Sequence, residues 1–203
     1  MDRPKFTLLS IVATAIITAL IYHGVLHVNV LRQSHETARQ LSEKLSYYEE
    51  AEQINDYYSR FNIVTRVNVI RQTLECIDKH IKSYFPNQTF NRRDFIAIAM
   101  VESNFDQYLV GRDKEFGIFQ ILPESSKWAG VKKNQFDIEV NTEMSMFVLQ
   151  KKYEQHKDYK MSIIAYNGVV KSRGKVSEVY WDKFIKARKA VDDILGNNNL
   201  PNK

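Results

Sequence analysis

The sequence predicts a mainly α protein, in which a long N-terminal helical segment precedes a folded helical domain. Three observations predict it. Phe6 to Val30 contains no Asp, Glu, Lys or Arg. From Leu31 to about Phe61 neither Pro nor Gly interrupts a charged stretch carrying Ala38, Leu41, Leu45, Tyr48, Tyr58 and Phe61. Ile63, Val67, Ile70, Leu74, Ile77 and Ile81 then recur every three or four residues, the spacing of one helix face. The 203 residues most simply hold one domain plus extensions. The expected organisation is a membrane anchor at 1–30, a helical stalk at 31–61, a folded domain at 62–195 and a polar tail at 196–203.

Each element has its own reason. A bilayer span needs about 20 largely apolar residues, and the run FTLLSIVATAIITALIYHGVLHVNV is long enough. A cleaved signal peptide is the competing reading. It would place a small-residue cleavage site after the apolar run, whereas Ala13-Thr14-Ala15 sits in its middle. The stalk pattern is too short and irregular to specify a coiled coil, and the segment would either lift the folded domain off the membrane or simply pack against it. The first core helix should run from Ile63 and end before Pro86 and Asn87. Ser125 to Ala129 reads as a helical turn after Pro123. Asn141 to Tyr153 reads as a helix with Lys151 and Lys152 at its C-terminal end. Lys160 to Tyr166 and Val176 to Leu195 carry two further helical stripes, and Asn104 to Phe116 reads as irregular loops or a short ribbon.

Composition narrows the classes of function. Hydrophobic residues at 44% and charged residues at 26% suit a packed core rather than disorder. The net charge of +5 suits a mildly basic surface, and no basic run interleaved with aromatics marks a nucleic-acid binder. A lone Cys76 permits no intramolecular disulfide and no Cys/His zinc site of ordinary ligand number. His23 and His27 stand four apart but have no further ligands in sequence. No metal and no cofactor is expected.

Chemistry is expected where Asn91 caps a helix and Asp94, Phe95, Ile98 and Ala99 follow. Glu102 lies four residues after Ile98 and three after Ala99, on their inward face. A carboxyl group held there is partly desolvated, which favours its protonated form and suits a general acid. A helix-end glutamate at a solvated rim is the alternative.

Three blocks then follow in order: Glu102-Ser103-Asn104-Phe105-Asp106, Gly117-Ile118-Phe119-Gln120-Ile121 with Pro123, and Ala165-Tyr166-Asn167. In this order and spacing they resemble the soluble lytic transglycosylase family. Its relatives are the goose-type lysozymes and the transglycosylases of conjugation and secretion systems. The resemblance covers Asn91 to Lys186. It implies an α-rich, lysozyme-like catalytic domain with a groove. It also implies a lytic transglycosylase that cleaves the bond between N-acetylmuramic acid and N-acetylglucosamine of peptidoglycan and forms 1,6-anhydro-muramic acid. Glu102 would be acid and then base, with no second carboxylate required. Ser103 would fix local geometry. Gln120 would lie near the bound sugar and Phe119, in place of the usual methionine, would wall it. Tyr166 would support the glutamate through its hydroxyl, Asn167 would contact an acetamido group or cap its helix, and Tyr180 would line the groove.

The chain also departs from the family. Serine is usual where Gly111 stands, glycine where Lys114 stands, and alanine-glycine where Gly168-Val169 stand. Asp113 or Glu115 offers a second carboxylate for a hydrolytic muramidase. A catalytically inactive wall-binding assembly protein is the third reading. The expected partners are peptidoglycan glycan strands, a membrane through the N-terminal helix, and secretion, conjugation or virion machinery. The expected location is a single pass with the N-terminus cytoplasmic and the catalytic domain on the wall side.

Overall fold

The computed structural model describes residues 8–128, 134–168, 171–172, 175–176 and 178–196, and it is mainly helical. Helix α1 spans Leu8–Ser59, α2 Val67–Tyr84, α3 Arg92–Glu102, α4 Pro123–Trp128, α5 Ile138–His156, α6 Tyr159–Tyr166 and α7 Val179–Ile194. Between α6 and α7, β1 (Lys171–Ser172) and β2 (Lys175–Val176) pair antiparallel, with Lys171 opposite Val176. The chain divides into two compact units, Met1–Ser46 and Tyr47–Lys203.

The first unit holds the N-terminal part of α1. Among the described residues, no helix is long and apolar enough to cross a membrane. The anchor expected at 1–30 therefore finds no support there. Tyr22, His23, His27 and Asn29 dilute the far end of the apolar run. Residues 1–7, together with the side chains of residues 8–13 and 16, lie outside the described residues.

The second unit begins earlier than the sequence suggested. Ala51, Ile54 and Tyr58 are buried in its core, so the end of α1 packs into the folded domain, the second of the two forms expected for that segment. Of the expected stalk stripe, Leu41 and Leu45 are exposed and only Tyr58 is buried. The buried face is set instead by the spacing of residues 51, 54 and 58. Arg92 joins this segment to two neighbours, since its guanidinium pairs with Glu50 at 2.5 Å and with Asp78 at 2.9 Å. The chain leaves α1 with Asn62 in the left-handed region (φ 56), so α2 starts at Val67 and leaves Ile63 exposed.

Helix α3 is the centre of this unit. Every residue from Asp94 to Met100 is buried, and from Phe95 to Met100 the helix is apolar on all sides. Its start is fixed by a capping box: the Asn91 side-chain Oδ1 accepts from the Arg93 amide at 3.0 Å, and the Asn91 backbone amide donates to the Asp94 carboxylate at 2.8 Å. The buried Asp94 also accepts from the Tyr159 hydroxyl at 2.9 Å and faces the Arg188 guanidinium at 3.5 Å. These contacts tie α3 to α6 and α7. Packing of α2 on α5, α3 on α7 and α5 on α6 completes the core. The tail expected at 196–203 lies outside the described residues beyond Gly196.

Candidate active site

Helix α3 ends at Glu102 because Ser103 caps it and two residues in the left-handed region follow, Asn104 (φ 51) and Phe105 (φ 62). Consecutive left-handed conformations without glycine are costly and cluster at functional sites. The Ser103 amide still donates to the Ala99 carbonyl, and its hydroxyl donates to the Ile118 carbonyl at 2.7 Å. Ser103 is 7% exposed. Through that bond it braces the turn that follows α3.

Glu102 is half-buried. Its carboxyl accepts the Tyr180 hydroxyl at 2.5 Å and is also hydrogen-bonded by the Asn167 side chain. Burial raises its pKa from the usual carboxyl range to about 7, and the negative charge of Glu115 adds to the rise. The hydrogen bonds from Tyr180 and Asn167 and the positive charge of Lys183 oppose it. The negative end of α3 also disfavours the carboxylate. The result is an acid that still holds its proton near neutrality and is reachable by solvent.

The supporting side chains come from three places. Tyr180 lies in the first turn of α7 and is 8% exposed, and burial together with the nearby Glu102 charge holds its phenol well above the usual range, so it stays a donor. Asn167 follows the last residue of α6 and is exposed. Tyr166 sends its hydroxyl to the Phe119 carbonyl at 2.9 Å rather than to the glutamate. Its phenol is also raised, by burial and by the Glu102 charge, so it stands close to the acid without bonding it. The hydroxyl expected on Glu102 from Tyr166 is thus supplied by Tyr180.

The Gly117–Gln120 turn is the third support. Gly117 has φ 74, and a Cβ there would meet the Asn141 amide nitrogen at 2.8 Å. Only glycine allows that close approach. Asn141, 2% exposed on α5, donates to the Phe116 carbonyl at 2.9 Å and accepts from the Phe119 amide at 2.8 Å. Gln120, half-buried with φ 48, donates to the Gly117 carbonyl at 2.8 Å and the Leu109 carbonyl at 3.3 Å. Antiparallel bridges join Phe116 to Val110 and to Ile121, so of the two forms expected for this stretch, loops or a short ribbon, it takes the ribbon.

Phe119 corrects a further expectation. It is 0% exposed, its ring packs edge-on against Phe95, and it cannot wall a sugar. Phe119→Ala should cost about 3–5 kcal/mol of folding free energy in chemical denaturation, as expected for an emptied core site. A sugar-facing ring would instead raise KM and leave stability unchanged.

The family model described as Transglycosylase SLT domain matches residues 81–186, which spans this whole constellation from α3 into α7. The chain belongs to the transglycosylase SLT domain family. No curated protein and no solved structure matches it. Membership places the chain in the lysozyme-like superfamily of lytic transglycosylases and gives it a peptidoglycan-acting function directed at glycan strands. Of the residues the SLT resemblance named, the structure gathers Glu102, Tyr180, Asn167 and Tyr166 at one place, with Gln120 in the adjoining turn. It withdraws Phe119 into the core and ties Ser103 to the Ile118 carbonyl. Asn141 and Lys183 were not foreseen. Asn141 stands far from the motif in sequence, and Lys183 could have been found only by placing it one turn after Tyr180 on α7. Among the described residues, no group of three His, Cys, Asp or Glu side chains is placed to hold a metal ion.

Proposed function

We propose that the chain is a lytic transglycosylase that cleaves the β-1,4 bond between N-acetylmuramic acid and N-acetylglucosamine. The observation that carries this reading is Glu102, half-buried, hydrogen-bonded by Tyr180 and protonated up to about pH 7. A glycosidic oxygen is a poor leaving group and must be protonated as the bond breaks. Glu102 gives its proton to that oxygen, and the bonding pair leaves with it. The substrate's 2-acetamido group supports the positive charge left on the ring. The carboxylate, steadied by the Tyr180 and Asn167 hydrogen bonds, then takes the proton of the muramyl 6-hydroxyl as that oxygen bonds to the anomeric carbon. The product is a 1,6-anhydro ring, and no water is consumed.

The acid works only while protonated. Turnover should therefore decline as pH rises through about 7, the raised value of Glu102. Rates of muropeptide release across that range check this. Mass spectrometry of the products distinguishes the readings: anhydro-muropeptides support transglycosylation, and reducing ends support hydrolysis. Absence of release supports a binding protein only. One observation favours hydrolysis as the second reading, namely that the Glu115 carboxylate acts on Glu102 and supplies a second acid.

The biological setting belongs to the same proposal. Its support is the uncharged run from Phe6 to Val30, which suits a tether holding the domain on the wall side of a membrane. A small tethered enzyme fits local wall opening or remodelling by secretion, conjugation or virion machinery.

A further inference from the structure

Gly111 carries the departure with the most physical content. A Cβ at Gly111 would lie 2.3 Å from Oε2 of Glu115 and 2.4 Å from Oε1 of Gln120. Both distances are impossible for real atoms, so the Glu115 and Gln120 side chains together fill the space where a residue with a side chain would place its own. The local backbone holds Glu115 there. The Gly111 amide donates to the Glu115 carbonyl at 2.8 Å, and the Asp113 amide donates to the Glu115 carboxylate at 2.9 Å. Lys114 turns the chain between them with φ 65. Asp113 is exposed and has no such link to the site.

We propose that the Glu115 carboxylate, seated in the space left by the absent side chain of Gly111 beside Gln120, is a second charged group of the site that stabilises positive charge developing on the sugar ring. This rests on Glu102 being the acid. It departs from the single-carboxylate scheme that the resemblance implies, and it follows from a glycine where the family usually has serine. Glu115 forms no bond. The C–O pair leaves with the glycosidic oxygen and the proton comes from Glu102, while the Glu115 anion lowers the energy of the cation left behind. A fixed anion in a site partly closed to water is worth far more than one in bulk solvent.

The charged and titratable groups around Glu102 set what its titration reports. Glu115 faces it from the Gly111–Glu115 hairpin, Lys183 and Tyr180 from α7, and Tyr166 from α6. Removing the Glu115 charge should lower the proton affinity of Glu102, because the like charge that raises it is gone.

The test measures cleavage of purified peptidoglycan by the full chain from about pH 5 to about pH 9. Glu115→Gln should lower kcat by roughly ten- to a hundredfold, leave KM little changed and move the alkaline limb to lower pH. Glu115→Asp, which keeps the charge, should restore the position of the limb. Gly111→Ala should reproduce the loss without unfolding, since the atoms it would strike are the ends of two flexible side chains. Wild-type kcat and an unmoved limb in Glu115→Gln would overturn the inference and leave the assignment of Glu102 standing. Full activity in Glu102→Gln would overturn that assignment instead, so the two failures are distinguishable.

Discussion

Glu102→Gln should lower release of muropeptides from purified peptidoglycan by about a thousandfold, the middle of the range for a positioned general acid. Glutamine keeps the size and can still accept the Tyr180 hydroxyl, but it carries no transferable proton. Binding to the wall should survive, because the groups around the site are unchanged. The same variant makes a stability prediction that separates lost chemistry from lost folding. The carboxyl pKa is raised on folding, from 4.5 to about 7. Ionisation therefore costs the folded state more than the unfolded one. That cost is absent below about pH 4.5, grows between the two values and is constant above about pH 7. Glu102→Gln should therefore melt at a higher temperature than wild type at alkaline pH and close to it in acid, as calorimetry would show. An inactive variant that also melted lower at alkaline pH would contradict the account of a desolvated acid.

Tyr180→Phe has the second largest expected effect. The hydroxyl donates to the Glu102 carboxyl at 2.5 Å from a position only 8% exposed. A hydrogen bond to a charged group is worth about 1.5–3 kcal/mol, and losing it here should lower kcat by roughly ten- to a hundredfold. The direction of the pH change is diagnostic. Tyr180 favours the carboxylate, so its loss should raise the pKa of Glu102 and move the alkaline limb upward. That is opposite to the shift expected for Glu115→Gln. Tyr166→Phe removes a bond to the Phe119 carbonyl instead and should act mainly on stability. A larger loss of kcat in Tyr166→Phe than in Tyr180→Phe would reverse the two roles.

The comparison of tyrosines shows what a linear sequence exposes. The rhythm of Ile70, Leu74 and Ile77 and the Asn91 cap reveal α2 and α3, because helix periodicity and capping are local. Glu102 was legible for the same reason, since its position relative to Ile98 and Ala99 fixes its face. The partner of its carboxyl was not, because Tyr166 and Tyr180 lie on different helices and only tertiary packing decides whose hydroxyl arrives. Phe119 was misread because the bridges of Phe116 to Val110 and Ile121 set which way the next residues point, and a tight turn has no period to read. The end of α1 was assigned to a stalk because Ala51, Ile54 and Tyr58 are interspersed with Glu49, Glu50, Glu52 and Asp56. Their burial depends on partners elsewhere in the chain, Arg92 among them, which no local pattern announces. The niche at Gly111 is hidden for a related reason, since it is defined by where the side-chain ends of Glu115 and Gln120 settle around a missing atom.

The mechanism requires the carboxyl of Glu102 to keep its proton into the neutral range. Carbon-13 labelling of the glutamate side chains, with Glu102→Gln to assign the signal, allows that carboxyl to be titrated by NMR in the folded protein. A midpoint at about pH 7 is expected. A midpoint near 4.5, the value of an unperturbed glutamate, would contradict it.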